Sequence, residues 1–328
     1  MTTINRRRAA LALAGTALAP LWAAAQTGAP RIDRPLRLVV PYPPGGTSDL
    51  LARTVGIRLG ERLGQPVVIE NKAGAGGVIG SQQVQKAAPD GTTLLLSTIA
   101  SHGIIPALQK PAPYDPVRDF TPLTLLAGTP NVLLVNKDLP ARNLEEFLAM
   151  ARAKPGGVSF GSTSLGGSPH MSGELLKVLA KVDLLHVPYK GGGPMLVDLM
   201  GGTIPAAFDN LPSAMPHIRA GKVRALAVTT AKRWPSAPEI PTMAEAGVPG
   251  YEMSAWFGLM APAGLSPQLA QLLHREVAAV LKEPDVNKRL LELGAEPSGM
   301  SPEEFSRFIG AEREKWTRVG ASSGVKLD

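Results

Sequence analysis

Beyond residue 30 the chain alternates short apolar runs with longer segments in which apolar residues recur every three or four positions. Leu36–Val40 predicts a strand, and Pro41-Tyr42-Pro43-Pro44-Gly45-Gly46-Thr47 follows it. Leu51, Val55, Leu59 and Leu63 then fall four apart on one helical face, with Gly64 placed to end the helix. Strand Val67–Glu70, a glycine-rich turn, a helix near Val78–Ala88, a Pro89-Asp90-Gly91 turn and strand Thr93–Ser97 come next. Strand, loop and helix repeated in this way predict an α/β protein built on parallel sheet.

Two further strand-like runs, Leu123–Ala127 and Val132–Val135, are separated only by Gly128-Thr129-Pro130-Asn131. Asn143 then caps a helix with Glu145 and Glu146 in its first turn, where carboxylates favour the helix dipole. Strands are expected at Val158–Gly161, Leu184–Pro188, Ile204–Phe208 and Val223–Thr229, and after the proline-rich stretch Trp234–Gly250 at Ser254–Ala261. Ser266-Pro267, Pro284 and Ser301-Pro302 each read as the start of a C-terminal helix. Two lobes follow from this order. The first joins residues 31–128 to 260–328, the second is the continuous stretch 129–259, and two hinge crossings lie near 128–132 and 252–260.

Composition narrows the setting. Hydrophobic residues make up 44%, enough for packed cores, and the 35 glycines and 31 prolines fall between periodic segments. At the N-terminus Arg6-Arg7-Arg8, an apolar stretch from Ala9 to Trp22 and Ala23-Ala24-Ala25 read as a signal peptide over residues 1–25, cleaved near Ala25. The export route, general secretory or twin-arginine, stays open. An exported protein of the periplasm is implied. With no cysteine, lipid anchoring, disulfides, thiolate catalysis and cysteine metal sites are excluded. The formal charge of +7 loses three arginines and no acid with the signal peptide, leaving +4. Basic residues are dispersed and aromatics reach only 5%, so nucleic acid is not an expected partner. A mildly positive surface suits small anions.

The chemistry sits in loops. Pro43-Pro44-Gly45-Gly46-Thr47-Ser48-Asp49 carries the chain from a strand into a helix whose first N–H groups have no intrahelical partner, a ready anion site. No lysine follows the glycines, so this is not a nucleotide P-loop. Gly161-Ser162-Thr163-Ser164-Leu165-Gly166-Gly167-Ser168-Pro169-His170 repeats the device, with Ser168 as the expected cap and Pro169 in first position. Facing one another at strand carboxyl ends, the two loops make a pincer for a carboxylate. Charge-assisted hydrogen bonds contribute roughly 1.5–3 kcal/mol each. Four or five therefore cover the ~8 kcal/mol of micromolar binding after association costs. Tyr189-Lys190-Gly191-Gly192-Gly193-Pro194 and Asp209-Asn210-Leu211-Pro212 again join strand to helix; Lys190 is either a cationic partner or merely solvated. Asp209 either receives a ligand amine or hydroxyl or caps the next helix.

Other motifs fall away. Gly74-Ala75-Gly76-Gly77-Val78-Ile79-Gly80 has spacing G-x-G-x-x-x-G, not that of a dinucleotide fingerprint. No serine carries glycine at both two-residue offsets, which disfavours a secreted hydrolase. His102, His170, His186, His217 and His274 show no i,i+4 pairing, so neither metal nor other cofactor is expected. His170 beside the second loop is the histidine closest to the chemistry. Trp256 and Phe257 read as hinge core rather than ligand wall.

In this order the loops resemble the substrate-binding proteins of tripartite tricarboxylate transporters, the Bordetella uptake gene family. The matching pieces are Val39-Val40-Pro41-Tyr42-Pro43-Pro44-Gly45-Gly46-Thr47, Leu63-Gly64-Gln65-Pro66-Val67-Val68, Gly74-Ala75-Gly76-Gly77 and Ala87-Ala88-Pro89-Asp90-Gly91. Tyr114-Asp115-Pro116, His186-Val187-Pro188-Tyr189-Lys190-Gly191-Gly192, Phe208-Asp209-Asn210 and Ala255-Trp256-Phe257-Gly258-Leu259 complete them. The resemblance implies a type II periplasmic-binding-protein fold with two lobes, a ligand cleft and two hinge crossings. It also implies a small carboxylic acid as ligand (di- or tricarboxylate, amino acid or aromatic acid) and delivery to a two-component membrane permease, by a monomer and not an enzyme. Carboxylate binding carries over to Gly45, Gly46, Thr47, Thr163 and Ser168, with Asp49 and Asp209 at positions associated with the ligand's variable end. The candidate set from the first loop is thus Tyr42, Pro44, Gly45, Gly46, Thr47 and Asp49. The second loop adds Ser162, Thr163, Gly167, Ser168 and His170, and the later turns add Tyr189 and Asp209. Leu165 departs from the Gly, Asn or Ser that family members often carry and leaves the acid's identity open. A carboxylate sensor feeding a two-component signalling system is the alternative reading on the same fold.

Overall fold

The alternation of strands and helices is present in a computed structural model that describes residues 31–323 and Leu327; the signal-peptide segment 1–25 lies outside the described residues. The first third runs β1 (Leu36–Val40), α1 (Thr47–Leu63), β2 (Val67–Asn71), α2 (Val78–Gln85) and β3 (Thr93–Thr98), then a π-type turn into the short α3 (Ile105–Leu108). The middle runs β4 (Phe120–Asn136), α4 (Leu144–Ala153), β5 (Ser159–Ser162), α5 (Ser168–Ala180), β6 (Leu185–Pro188), α6 (Gly192–Met200), β7 (Ala206–Asn210), α7 (Leu211–Arg219) and β8 (Val223–Val228). The chain ends with β9 (Ser254–Pro262), α8 (Pro267–Lys282), α9 (Pro284–Leu293), the two-residue β10 (Glu296–Pro297) and α10 (Pro302–Ser323). No helix among the described residues is long and apolar enough to cross a membrane.

The helix boundaries follow local chemistry. The first-turn N–H groups find acceptors at Asn143, whose side chain accepts from Glu146 N at 2.9 Å, and at Ser266, whose hydroxyl accepts from Leu269 N at 3.3 Å. Ser301 and Glu304 form a capping box, each backbone N–H donating to the other's side chain at 2.9 and 3.2 Å. At the far end of α1 the left-handed Gly64 returns its N–H to Gly60 and Glu61 carbonyls. The predicted stripe Leu51, Val55, Leu59 is buried against the sheet.

Strand order is β2-β1-β3-β9-β4-β7-β5-β6, with β8 and β10 also pairing β4. β1 lies parallel to β2 and β3, and β5 lies parallel to β6 and β7, while β4 and β9 run antiparallel to their neighbours. The two runs expected on either side of Gly128-Thr129-Pro130-Asn131 are in fact one strand of 17 residues. The tetrapeptide is not a turn, because its residues stay in the ladder: Gly128, Thr129 and Pro130 pair Trp256, Ala255 and Ser254, and Asn131 then pairs Asn210. Pro130 has no N–H to continue the first ladder, and the partner changes there. One half of the sheet ends and the other begins at that residue. The chain returns at Met253–Ser254, where Met253 N still bonds Thr229 O at 2.8 Å and Ser254 already pairs Pro130. Loops 41–46, 163–167 and 189–191 and residue Asn210 leave the carboxyl ends of β1, β5, β6 and β7, and they carry the site.

Candidate functional site

Four helix starts converge on one small cavity of about 40 Å³ between the two sheet halves. Gly46, Thr47 and Ser48 bring the first turn of α1; Gly167, Ser168 and Pro169 that of α5; Gly191 and Gly192 that of α6; Asn210 that of α7. None of these four helices is capped by its own N-cap side chain. Pro169, Pro194 and Pro212 carry no N–H and Ser213 N is taken by the Thr47 hydroxyl, and the other first-turn N–H groups are left to an anion at which the dipoles point. No lysine or arginine lines the cavity. The loops approach closely across the gap: a Cβ on Gly46 would meet Gly192 N at 3.9 Å, an ordinary contact, whereas Gly191 needs to be glycine. Gly191, at φ 118°, has Pro43 ring carbons 2.8–2.9 Å from where its own Cβ would stand. The volume admits about three or four water molecules, or one carboxylate group, at roughly 10–15 Å³ per water.

Polar side chains brace this ring. Asn131 on β4 sits at its base, fully buried: its amide donates to Ser172 Oγ at 2.8 Å, and its carbonyl accepts from Ser168 Oγ at 3.2 Å and from the Asn210 amide. Thr47 reaches the other half, its hydroxyl 3.0 Å from Ser213 Oγ and accepting from Ser213 N at 3.3 Å. Ser213 Oγ in turn donates to Asp209 Oδ2 at 2.8 Å, while Asn210 N donates to Asp209 Oδ1 at the same distance. Burial pushes the Asp209 carboxyl up to about 7 against the opposing pull of those two bonds. Near neutrality it is therefore divided between its acid and carboxylate forms. Among the described residues no group of three or more His, Cys, Asp or Glu is placed to hold a metal ion.

A family model described as the tripartite tricarboxylate transporter family receptor matches residues 51–325. The chain belongs to that family. It is 39% identical over 295 residues to the protein BugT of Bordetella pertussis, covering 90% of each chain. Among solved structures it is similar to R. palustris Rpa4515 with adipate, at 41% identity and a TM-score of 0.87, covering 90% of this chain and 98% of that one. It is also similar to MatC (Rpa3494) from Rhodopseudomonas palustris with bound malate, at 36% identity and a TM-score of 0.83, covering 88% and 99%. The receptor thus has the mixed α/β periplasmic-binding-protein fold, and its family is one of transporter receptors, binding proteins and not enzymes.

Of the residues singled out in the sequence, Tyr42, Gly46, Thr47, Thr163, Gly167, Ser168 and Asp209 line the receptor's cavity. Gly167, not Ser168, is the N-cap of α5; Ser168 is its first residue, and its hydroxyl turns down to Asn131. Asn210, not Asp209, is the N-cap of α7. Pro44 and Gly45 lie exposed on the outer side of the first turn. Asp49 faces away from the cavity: its carboxylate accepts from Arg53 Nε at 2.9 Å, Gly45 N at 3.0 Å and Asn71 Nδ2 at 3.0 Å. Burial alone raises its pKa, but those three bonds together win and hold it below the usual carboxylate range. Ser162 and His170 stand behind the second loop. Ser162 Oγ lies 2.7 Å from His186 Nε2, Gly166 N donates to His170 Nδ1 at 3.1 Å, and the two imidazoles stack 4.0 Å apart. The Tyr189 hydroxyl is spent on Asp198 at 2.7 Å. The sequence reading missed Asn131 and Ser213, which carry no motif; Phe257, read as core, is buried in the core and also borders the cavity. Gly191 and Gly192 were legible only as a turn, although Gly-Gly before an apolar run is the same signal as Gly45-Gly46.

Proposed function

We propose that the receptor captures a small carboxylate in the periplasm and delivers it to the membrane permease of a tripartite tricarboxylate transporter. The carboxylate sits in the 40 Å³ cavity and accepts from first-turn N–H groups and from the Ser48 and Thr163 hydroxyls. The observation that carries this reading is the convergence of four uncapped helix N-termini on one cavity whose lining contains no cation. Relatives bound to adipate and to malate support an anionic ligand with carboxylate ends. Residues 31–128 with 260–328, and residues 129–259, act as two lobes that part to admit the acid and close on it. The permease then distinguishes loaded from empty protein by this closure.

A thermal-shift screen of protein from Gln26 onward, refolded from denaturant to strip any carried ligand, tests the reading. At a hundred times its dissociation constant a true ligand stabilises by about 2.7 kcal/mol. Shifts confined to carboxylates are expected. Shifts with sugars or amides and none with any acid would refute it.

A further inference from the structure

Next to the inner cavity lies a second, of about 490 Å³, and the two share Tyr42, Pro43, Thr163 and Ser164. Those four residues stand between two chambers of different size and chemistry, and the boundary they make is here called the neck. The inner chamber is faced by helix N-termini. The outer one is walled by Ile79 on α2, Leu165 of the second loop, Pro188 and the glycine turn 74–77, with Lys190 at its rim. Ile79 and Leu165, 53% and 48% exposed, face this one cavity from opposite halves. The phenols that border this chamber are already engaged, Tyr42 donating to Gly76 O at 2.8 Å and Tyr189 to Asp198. In the neck, the buried Ser164 hydroxyl makes no hydrogen bond of regular geometry, apart from a loose approach to the Tyr42 side chain.

We infer that the outer chamber is a tail subsite for the hydrocarbon part of the acid whose carboxylate occupies the inner cavity. Ser164 offers the neck a donor to the carboxylate end, and Ile79 and Leu165 remove the chain behind it from water. The ligands favoured are carboxylates that carry a linear apolar segment, over compact hydroxy acids whose polar groups would be stranded there. This rests on the carboxylate reading.

Calorimetric titration of the refolded protein with straight-chain monocarboxylates from acetate to octanoate, beside malate and citrate, tests it. Affinity is expected to rise about fourfold per methylene over the first several carbons, as burial of each CH₂ from water predicts. Leu165→Asn and Ile79→Ser, both at exposed positions where folding is little affected, are expected to flatten that slope, lowering octanoate affinity tenfold or more relative to acetate. Binding of acids with no dependence on chain length, or malate and citrate binding tighter than every chain acid, would overturn the tail subsite while leaving carboxylate capture intact. Binding of no acid at all overturns both.

Discussion

At Gly46 the backbone is extended, with φ −85° and ψ 172°, a conformation open to any residue, yet the space ahead of it is the seat proposed for the carboxylate. Gly46→Val is therefore expected to leave the unfolding midpoint nearly unchanged and to lower carboxylate affinity at least a hundredfold by calorimetry. Asp49 is the opposite case. Its place in the family pattern suggested contact with the ligand's variable end, but its three donors make it a brace of the first loop. Asp49→Ala takes the acceptor from the Gly45 N–H and from one hydrogen of the Asn71 amide, whose other hydrogen stays on Tyr42 O, and is expected to cost about 1–3 kcal/mol in urea unfolding. It should weaken all carboxylates alike; a change in ligand preference at constant overall affinity would restore the family's assignment. Asp209 supplies a pH signature. Its folded pKa of about 7 stands above the unfolded value, so the protonated form is favoured on folding and that contribution is lost as pH rises through 7. A ligand carboxylate beside it should bind roughly tenfold or more weaker at pH 8.5 than at pH 6, and Asp209→Asn should remove most of the difference. A ligand ammonium facing Asp209 would reverse the slope.

At the scale of elements, the strand and helix pattern was legible because each element satisfies a local rule: alternation, a cap, a proline in the first turn. What escaped was decided by partners distant in sequence. Gly128-Thr129-Pro130-Asn131 has turn composition, yet pairing with β9 and then β7 keeps it extended, and no local rule reports a ladder supplied from residues 254–256 and 210. Two of the four helix starts were read as a pincer from glycine and hydroxyl content. The other two look the same locally, and only the packing of β6 and β7 beside β5 turns them toward the same point. The second loop carries a further dependence. Burial, helped by the neighbouring imidazole of His170, holds His186 down to about 3, and burial likewise lowers His170, where Glu174 pulls upward and Lys177 downward. For a base with a depressed pKa the stabilisation is complete above the ordinary imidazole value of about 6.5 and is lost as pH falls from there toward 3. Melting temperature is expected to drop between pH 6.5 and pH 4. His186→Phe, which keeps a ring against Phe160 and His170 but cannot titrate, should make that acid limb shallower.

Across the whole molecule, the halves meet through few polar contacts at the cavity, and one of them is a relay. Thr47 on α1 bonds Ser213 on α7, and Ser213 bonds Asp209 at the end of β7. If the proposed lobes part, the Thr47–Ser213 bonds must break, whereas the Ser213–Asp209 bond stays within one lobe. Removing the Ser213 hydroxyl therefore acts on the closed state first. A hydrogen bond of this kind contributes about 0.5–1.5 kcal/mol net, so Ser213→Ala should weaken carboxylate binding roughly two- to tenfold. The loss should appear as faster dissociation in stopped-flow measurements, since association begins from the open form in which the bond does not yet exist. The ligand-free variant should also scatter X-rays as a slightly larger particle than the ligand-free parent, with the two converging once ligand is saturating. Thr47→Val, at the other end of the relay, removes that bond and also the acceptor of the Ser213 N–H, so its dissociation effect is expected to be at least as large, and the double variant should lose no more than Thr47→Val alone. Additive losses would mean that Thr47 contacts the ligand independently, and an unchanged dissociation rate in Ser213→Ala would mean that closure does not depend on this bridge.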